Sequence, residues 1–180
     1  MSGGAREAPQ RRKAPQRREA PHGREAPHGR EGFVLLRPVA MRWSDIDRYG
    51  HANNVAVLSW FDTAVNDWYI GEGHLEPEGP RFVVARTGCL FHREIVYSDT
   101  VAIGIRASRI GTSSVTYQLA VFAEGEADAR AQGDYVHVRV SARTGRPEPI
   151  GPAMRALLEW TRGALPAGTG EGAGGRGERS

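Results

Sequence analysis

The chain has 180 residues, with 24 Lys and Arg against 21 Asp and Glu, a formal net charge of +3 and 39% hydrophobic residues. No run approaches the roughly 18 consecutive apolar residues that a membrane span requires, so a transmembrane protein is not expected. A single cysteine, Cys89, excludes an internal disulfide and a cysteine-based zinc cluster, and it fits a reducing compartment.

Residues 1–32 repeat with a period of six, each unit carrying one Ala-Pro step among Arg, Glu, Gln, His and Gly. Such a unit cannot bury enough surface to offset its ordering entropy, so this segment is expected to be a disordered tail. It has no apolar core of a signal peptide, which predicts a cytoplasmic protein. It also holds the excess charge: eight basic and four acidic residues lie in 1–32, against 14 and 15 in residues 33–162. A nucleic-acid-binding domain would concentrate basic residues on its folded part, so nucleic acid is not an expected partner. Residues 163–180 contain seven glycines and read as a second disordered tail. The folded domain is expected over 33–162.

Within that domain, Phe33 to Trp43 reads as a strand and Ser44 to Ala52 as a polar loop. From Asn54 to Ile70, polar residues recur every three or four positions among Val57, Leu58, Phe61, Ala64, Val65 and Trp68, which predicts one long helix with a wide apolar face. After a Gly/Pro/Glu-rich loop over 71–81 the period changes to two. Val101, Ile103 and Ile105, then Val115, Tyr117, Leu119 and Val121, then Val136, Val138 and Val140 alternate with other residues. Turns are expected at Gly111-Thr112 and at Glu124 to Asp128, and a short helix near Pro152 to Thr161. One apolar helix followed by an antiparallel meander predicts an α+β domain whose sheet wraps the helix.

The densest polar cluster, from Trp43 to Asn54, ends where the long helix begins. A helix amino terminus presents backbone N–H groups without intrahelical partners and a partial positive charge, which can hold an anion or polarise a carbonyl. Asn53 or Asn54 suits the cap. Gly50 permits a sharp turn, so a carboxylate a few residues upstream can face those donors. A base or nucleophile opposite an oxyanion-stabilising dipole is what acyl transfer requires. The same spacing also suits Asp45 and Asp47 as plain loop residues.

The run Asp45-Ile-Asp47-Arg-Tyr-Gly-His51-Ala-Asn53-Asn54 resembles the D-x-D-x-x-G-H-x-N-N signature of hotdog-fold acyl-CoA thioesterases of the 4-hydroxybenzoyl-CoA thioesterase family. The similarity continues through Ile95-Val-Tyr-Ser-Asp99-Thr-Val101 and Arg109-Ile-Gly-Thr-Ser-Ser114, and so spans nearly all of residues 35–160. The resemblance implies a hotdog fold, with Asp47 as nucleophile or general base on a thioester and backbone N–H groups near His51 holding the carbonyl oxygen. Asn53 and Asn54 would shape the turn and cap the helix, and Asp45 would support the site. It further implies a homo-oligomer, dimer or tetramer, with the acyl-CoA site at the dimer interface. The carrier of the thioester stays open between coenzyme A and another pantetheine carrier. A thioester has a good leaving group, so one carboxylate and an oxyanion site can suffice. No cofactor and no metal is expected, coenzyme A being part of the substrate.

Two other classes stay open on sequence alone. One is a hotdog enoyl-CoA hydratase or dehydratase, which needs a His/Asp pair. The other is a non-catalytic acyl-CoA-binding or nucleic-acid-associated protein that uses the arm of residues 1–32. Among weaker candidates, His92 and Glu94 are expected to share a strand face, Cys89 to be a packing residue, and the four tryptophans to serve a core or interface. Arg86, Arg106 and Arg109 are candidate phosphate contacts.

Overall fold

The computed structural model describes residues 28–74, 79–97 and 99–163. Strand β1 (Leu35–Val39) leads through the polar loop into helix α1 (Asn54–Gly71). Four strands follow, β2 (Arg81–Phe91), β3 (Val101–Ile110), β4 (Ser114–Ala123) and β5 (Ala131–Val140), and helix α2 (Pro152–Arg162) ends the domain. The strands form one antiparallel sheet in the order β1-β3-β4-β5-β2, with α1 against one face. This is the α+β hotdog arrangement. No helix among the described residues is long and apolar enough to cross a membrane.

Helix α1 starts where Asn53 Oδ1 accepts from the Val55 N–H at 2.9 Å. It buries Val57, Trp60, Phe61, Ala64, Val65, Trp68 and Tyr69, a three-and-four spacing that sets a broad stripe on the sheet. The facing layer is Val101, Ile103 and Ile105 of β3, Val115, Tyr117, Leu119 and Val121 of β4, and Ala131 and Tyr135 of β5. At Gly133 the helix comes close: a Cβ there would lie 2.8 Å from the Phe61 ring and 2.4 Å from the Gly88 carbonyl oxygen.

One expectation about these elements needs correction. The first strand is only five residues long, because Asp45 draws the chain into a 3-10 turn at Trp43–Asp45 by accepting from the Arg42 N–H at 2.9 Å. On β5 it is Tyr135 and His137, not the flanking valines, that are buried, and their rings meet 4.6 Å apart beside α1. Of the tryptophans, Trp60 and Trp68 are in the core, whereas Trp43 and Trp160 are exposed.

The outer face of the sheet has its own small core. Phe33 packs edge-on against Phe122 at 5.4 Å, with Ala120, Ala129 and Leu36 around it. Gly104 makes room, since a Cβ there would meet both phenyl rings at 2.8 Å. The segment just before Phe33 is part of this layer, so residues 28–32, inside the span expected to be tail, belong to the fold. Gly29 bridges Asp128, and the Arg30 N–H donates to the Ala127 carbonyl at 2.7 Å. Residues 1–27 and 164–180 lie outside the described residues. Truncating Phe33→Ala is expected to cost about 3 kcal/mol in denaturant unfolding, the usual cost of emptying a buried phenyl site. A loss under about 1 kcal/mol would mean that this layer collapses without penalty.

Candidate active site

The loop between β1 and α1 is held by its own backbone. Asp47 donates its N–H to the His51 carbonyl at 2.8 Å, and its carbonyl accepts from the Gly50 N–H at 3.1 Å, with Gly50 at φ 83° to close the turn. Asp47 Oδ1 accepts from the Tyr49 N–H at 2.7 Å and the His51 N–H at 3.3 Å. Oδ2 has no hydrogen-bond partner among the described residues, so one carboxylate oxygen is anchored and the other is available.

The loop then docks on the segment after β2. His51 bridges Val96, and the Ala52 N–H donates to the Ile95 carbonyl at 2.7 Å. Between the two segments lies a cleft of about 460 Å³, lined by Asp47, His51, Asn53, Asn54, His92 and Glu94 among others. The Val55 N–H is taken by the Asn53 side chain and the Val57 N–H by the Asn53 carbonyl. The Asn54 N–H at the cleft wall is left as a donor without an intrahelical partner. It is this amide, rather than that of His51, that is open, because the His51 amide is turned to Asp47.

Asp45 lies elsewhere. Its carboxylate is buried, 2.8 Å from the Arg42 guanidinium and 3.4 Å from the Trp60 indole N–H. The Arg42 guanidinium holds the Asp45 carboxyl below the usual carboxylate range, against the opposing cost of burial. Asp45 also accepts the Asn53 N–H at its carbonyl at 2.8 Å, so it ties the loop to the helix start instead of facing the cleft.

His92 and Glu94 do line the cleft, but not as a pair on a strand, because β2 ends at Phe91 and the chain bends away. Glu94 pairs with His51, Oε2 to Nε2 at 3.3 Å. A clamp on the far side fixes this bend. Arg130 bonds the Glu94 carbonyl at 2.9 Å, the carboxylate of Asp99 and the carboxylate of Glu126, while Asp99 Oδ2 accepts the Val96 N–H at 2.8 Å. The Arg130 hydrogen bond holds the Glu126 carboxyl below its ordinary range.

Of the candidate phosphate contacts, Arg86 pairs with Asp134 at 3.5 Å, and Arg106 lies on the outer face over Phe33, bonded to Gln118. Neither of these, nor Arg109, lines the cleft; Arg93 does, 3.3 Å from Glu126. Burial pushes the Cys89 thiol up to about 11, which suits a packing residue and not a nucleophile. Among the described residues, no group of three or more His, Cys, Asp or Glu is arranged to hold a metal ion.

Residues 41–158 match the thioesterase-like superfamily. The PA5185 protein of Pseudomonas aeruginosa strain PAO1 is 37% identical, with a TM-score of 0.72, and the likeness covers 76% of this chain and 96% of that one. A thioesterase from Thermus thermophilus, solved with coenzyme A and Zn, is 33% identical with a TM-score of 0.61, over 75% of this chain and 99% of that one. The uncharacterized protein YsmA of Bacillus subtilis (strain 168) is 30% identical over 117 residues, 63% of this chain and 78% of YsmA. Sequence match, fold and the loop before α1 agree, and the chain belongs to the thioesterase-like superfamily.

Proposed function

We propose that the protein is an acyl-CoA thioesterase that hydrolyses an acyl thioester to the free acid and coenzyme A in the cytoplasm. The observation that carries this reading is the shared cleft. Asp47, whose Oδ2 has no partner among the described residues, and Asn54 at the start of α1, whose amide has none among them either, line the same cleft. A thioester carbonyl in that cleft would put its oxygen at the helix dipole and its carbon before Asp47, as nucleophile or general base. His51 and Asn53 shape the turn that aligns them, and Asp45 with Arg42 holds the turn from behind. The likeness to a Thermus thermophilus thioesterase solved with coenzyme A supports the choice of carrier, free or as acyl-pantetheine.

The working unit in this reading is a homodimer, or a tetramer built from it. Among the described residues strand β2 is an eleven-residue edge without an outer partner, with Val83 and Val84 exposed, and an edge of this length suits an assembly surface. The test is release of free thiol from a panel of short, long and aromatic acyl-CoAs. Turnover is expected on at least one class, at kcat/KM of about 10⁴ M⁻¹ s⁻¹ or above. No release across the panel, from folded protein, would move the reading to an enoyl-CoA hydratase or a binding module.

A further inference from the structure

We infer that His51 and Glu94 form a second working pair in the cleft, in which His51 Nδ1 takes the proton of the hydrolytic water and Glu94 orients the ring. The inference rests on the thioesterase reading and assigns the half of the reaction that Asp47 does not cover. His51 comes from the loop before α1 and Glu94 from the bend after β2, yet both line the cleft with Asp47 and meet at 3.3 Å. The two segments are locked by the His51–Val96 bridge and by the Ala52 N–H to Ile95 carbonyl bond of 2.7 Å. Arg130 holds the Glu94 carbonyl from behind at 2.9 Å. A contact with so exposed a carboxylate contributes little to stability, so stability alone gives no reason for this much backbone support.

The negative charge beside Nε2 favours a proton on that nitrogen and leaves the Nδ1 lone pair free. Nδ1 has no hydrogen-bond partner among the described residues. The chemistry then divides in two. Asp47 Oδ2 attacks the thioester carbon, the C–S bond breaks, coenzyme A leaves as thiolate, and the acyl group rests on Asp47 as a mixed anhydride. An acylated Asp47 has no charge left to act as base. His51 Nδ1 takes a proton from water as the water oxygen bonds to the acyl carbon. The C–O bond to Asp47 then breaks, the acid is released, and the proton on His51 passes to the thiolate or to solvent.

Glu94 is thus a positioning residue, and the readout is a burst. With the acyl-CoA that wild type turns over best, His51→Ala and Glu94→Gln are expected to release one thiol per protomer rapidly. Slow turnover should follow, with kcat about 10²-fold down for His51→Ala and about tenfold down for Glu94→Gln, and with KM falling alongside kcat because deacylation has become the slow step. Intact mass should show the acyl group on the protein, and added imidazole should restore turnover to His51→Ala. Near-ultraviolet circular dichroism confirms the fold of each variant. Wild-type kinetics in Glu94→Gln, or lowered rates with no burst and no acylated mass, would overturn the pair while leaving the thioesterase reading intact. An inactive wild type would overturn both.

Discussion

Replacing Asp47 with asparagine is expected to lower kcat/KM for the preferred acyl-CoA by about 10³-fold or more, with the melting temperature unchanged. The choice of asparagine follows from the geometry. Asp47 Oδ1 organises the turn by accepting the Tyr49 and His51 amides, and the asparagine oxygen can do the same. What disappears is the charge and the lone pair of the free oxygen, which an amide nitrogen cannot replace. Asp47→Ala would remove both roles at once and confuse a loosened loop with lost chemistry. Thiol release and thermal unfolding, run on the same preparations, separate the two. Activity within about tenfold of wild type in Asp47→Asn would return Asp47 to the rank of a turn residue.

Acid is expected to destabilise the fold through His137. Its imidazole is buried among Tyr69, Phe82, Tyr117 and Tyr135, and Nδ1 has no hydrogen-bond partner among the described residues. Burial pushes its pKa from 6.5 down to about 4, with Asp62 pulling the other way. Above the unfolded value neither state binds the proton, and the stability is whole. Between 6.5 and about 4 the unfolded chain takes up a proton that the folded one refuses, so stability falls as the pH drops. Across that window the loss from this group is roughly 3 kcal/mol. Urea unfolding at about pH 7.5 and pH 4.5 should show wild type losing roughly 2 kcal/mol more than His137→Phe. An equal loss in both chains would place the acid sensitivity in Asp45 and Glu126, whose carboxyls are also held low by arginine.

The helix was legible because α1 buries a stripe at helical spacing and begins at a capping asparagine, both local properties. Alternation found β3, β4 and β5 but could not choose the face on β5, where both sets of side chains can be buried. The packing of Tyr69 and Tyr135 around His137 decides that choice, and it is tertiary. At the site, the run from Asp47 to Asn54 names its residues in order, and the structure gathers four of them at one cleft. Asp45 carries the same side chain as Asp47 two positions away and faces its own arginine instead. The bond between loop and bend sets these roles, and with them the partner of Glu94. No spacing rule reaches across the 43 positions from His51 to Glu94.

The two borders of the sheet differ. On β1, Pro38 supplies no N–H to an incoming strand, whereas β2 presents eleven residues. Growth by laying the β1 border of one copy on the β2 border of the next would repeat without end and give fibres. With the β1 border blunted, the open border can be met best by its own counterpart on another copy. Such a contact would be self-complementary and would consume both borders at once, so polymerisation would terminate at its first step. If copies of the chain pair in the proposed way, a proline in the shortest strand is what would keep that long border from seeding a filament.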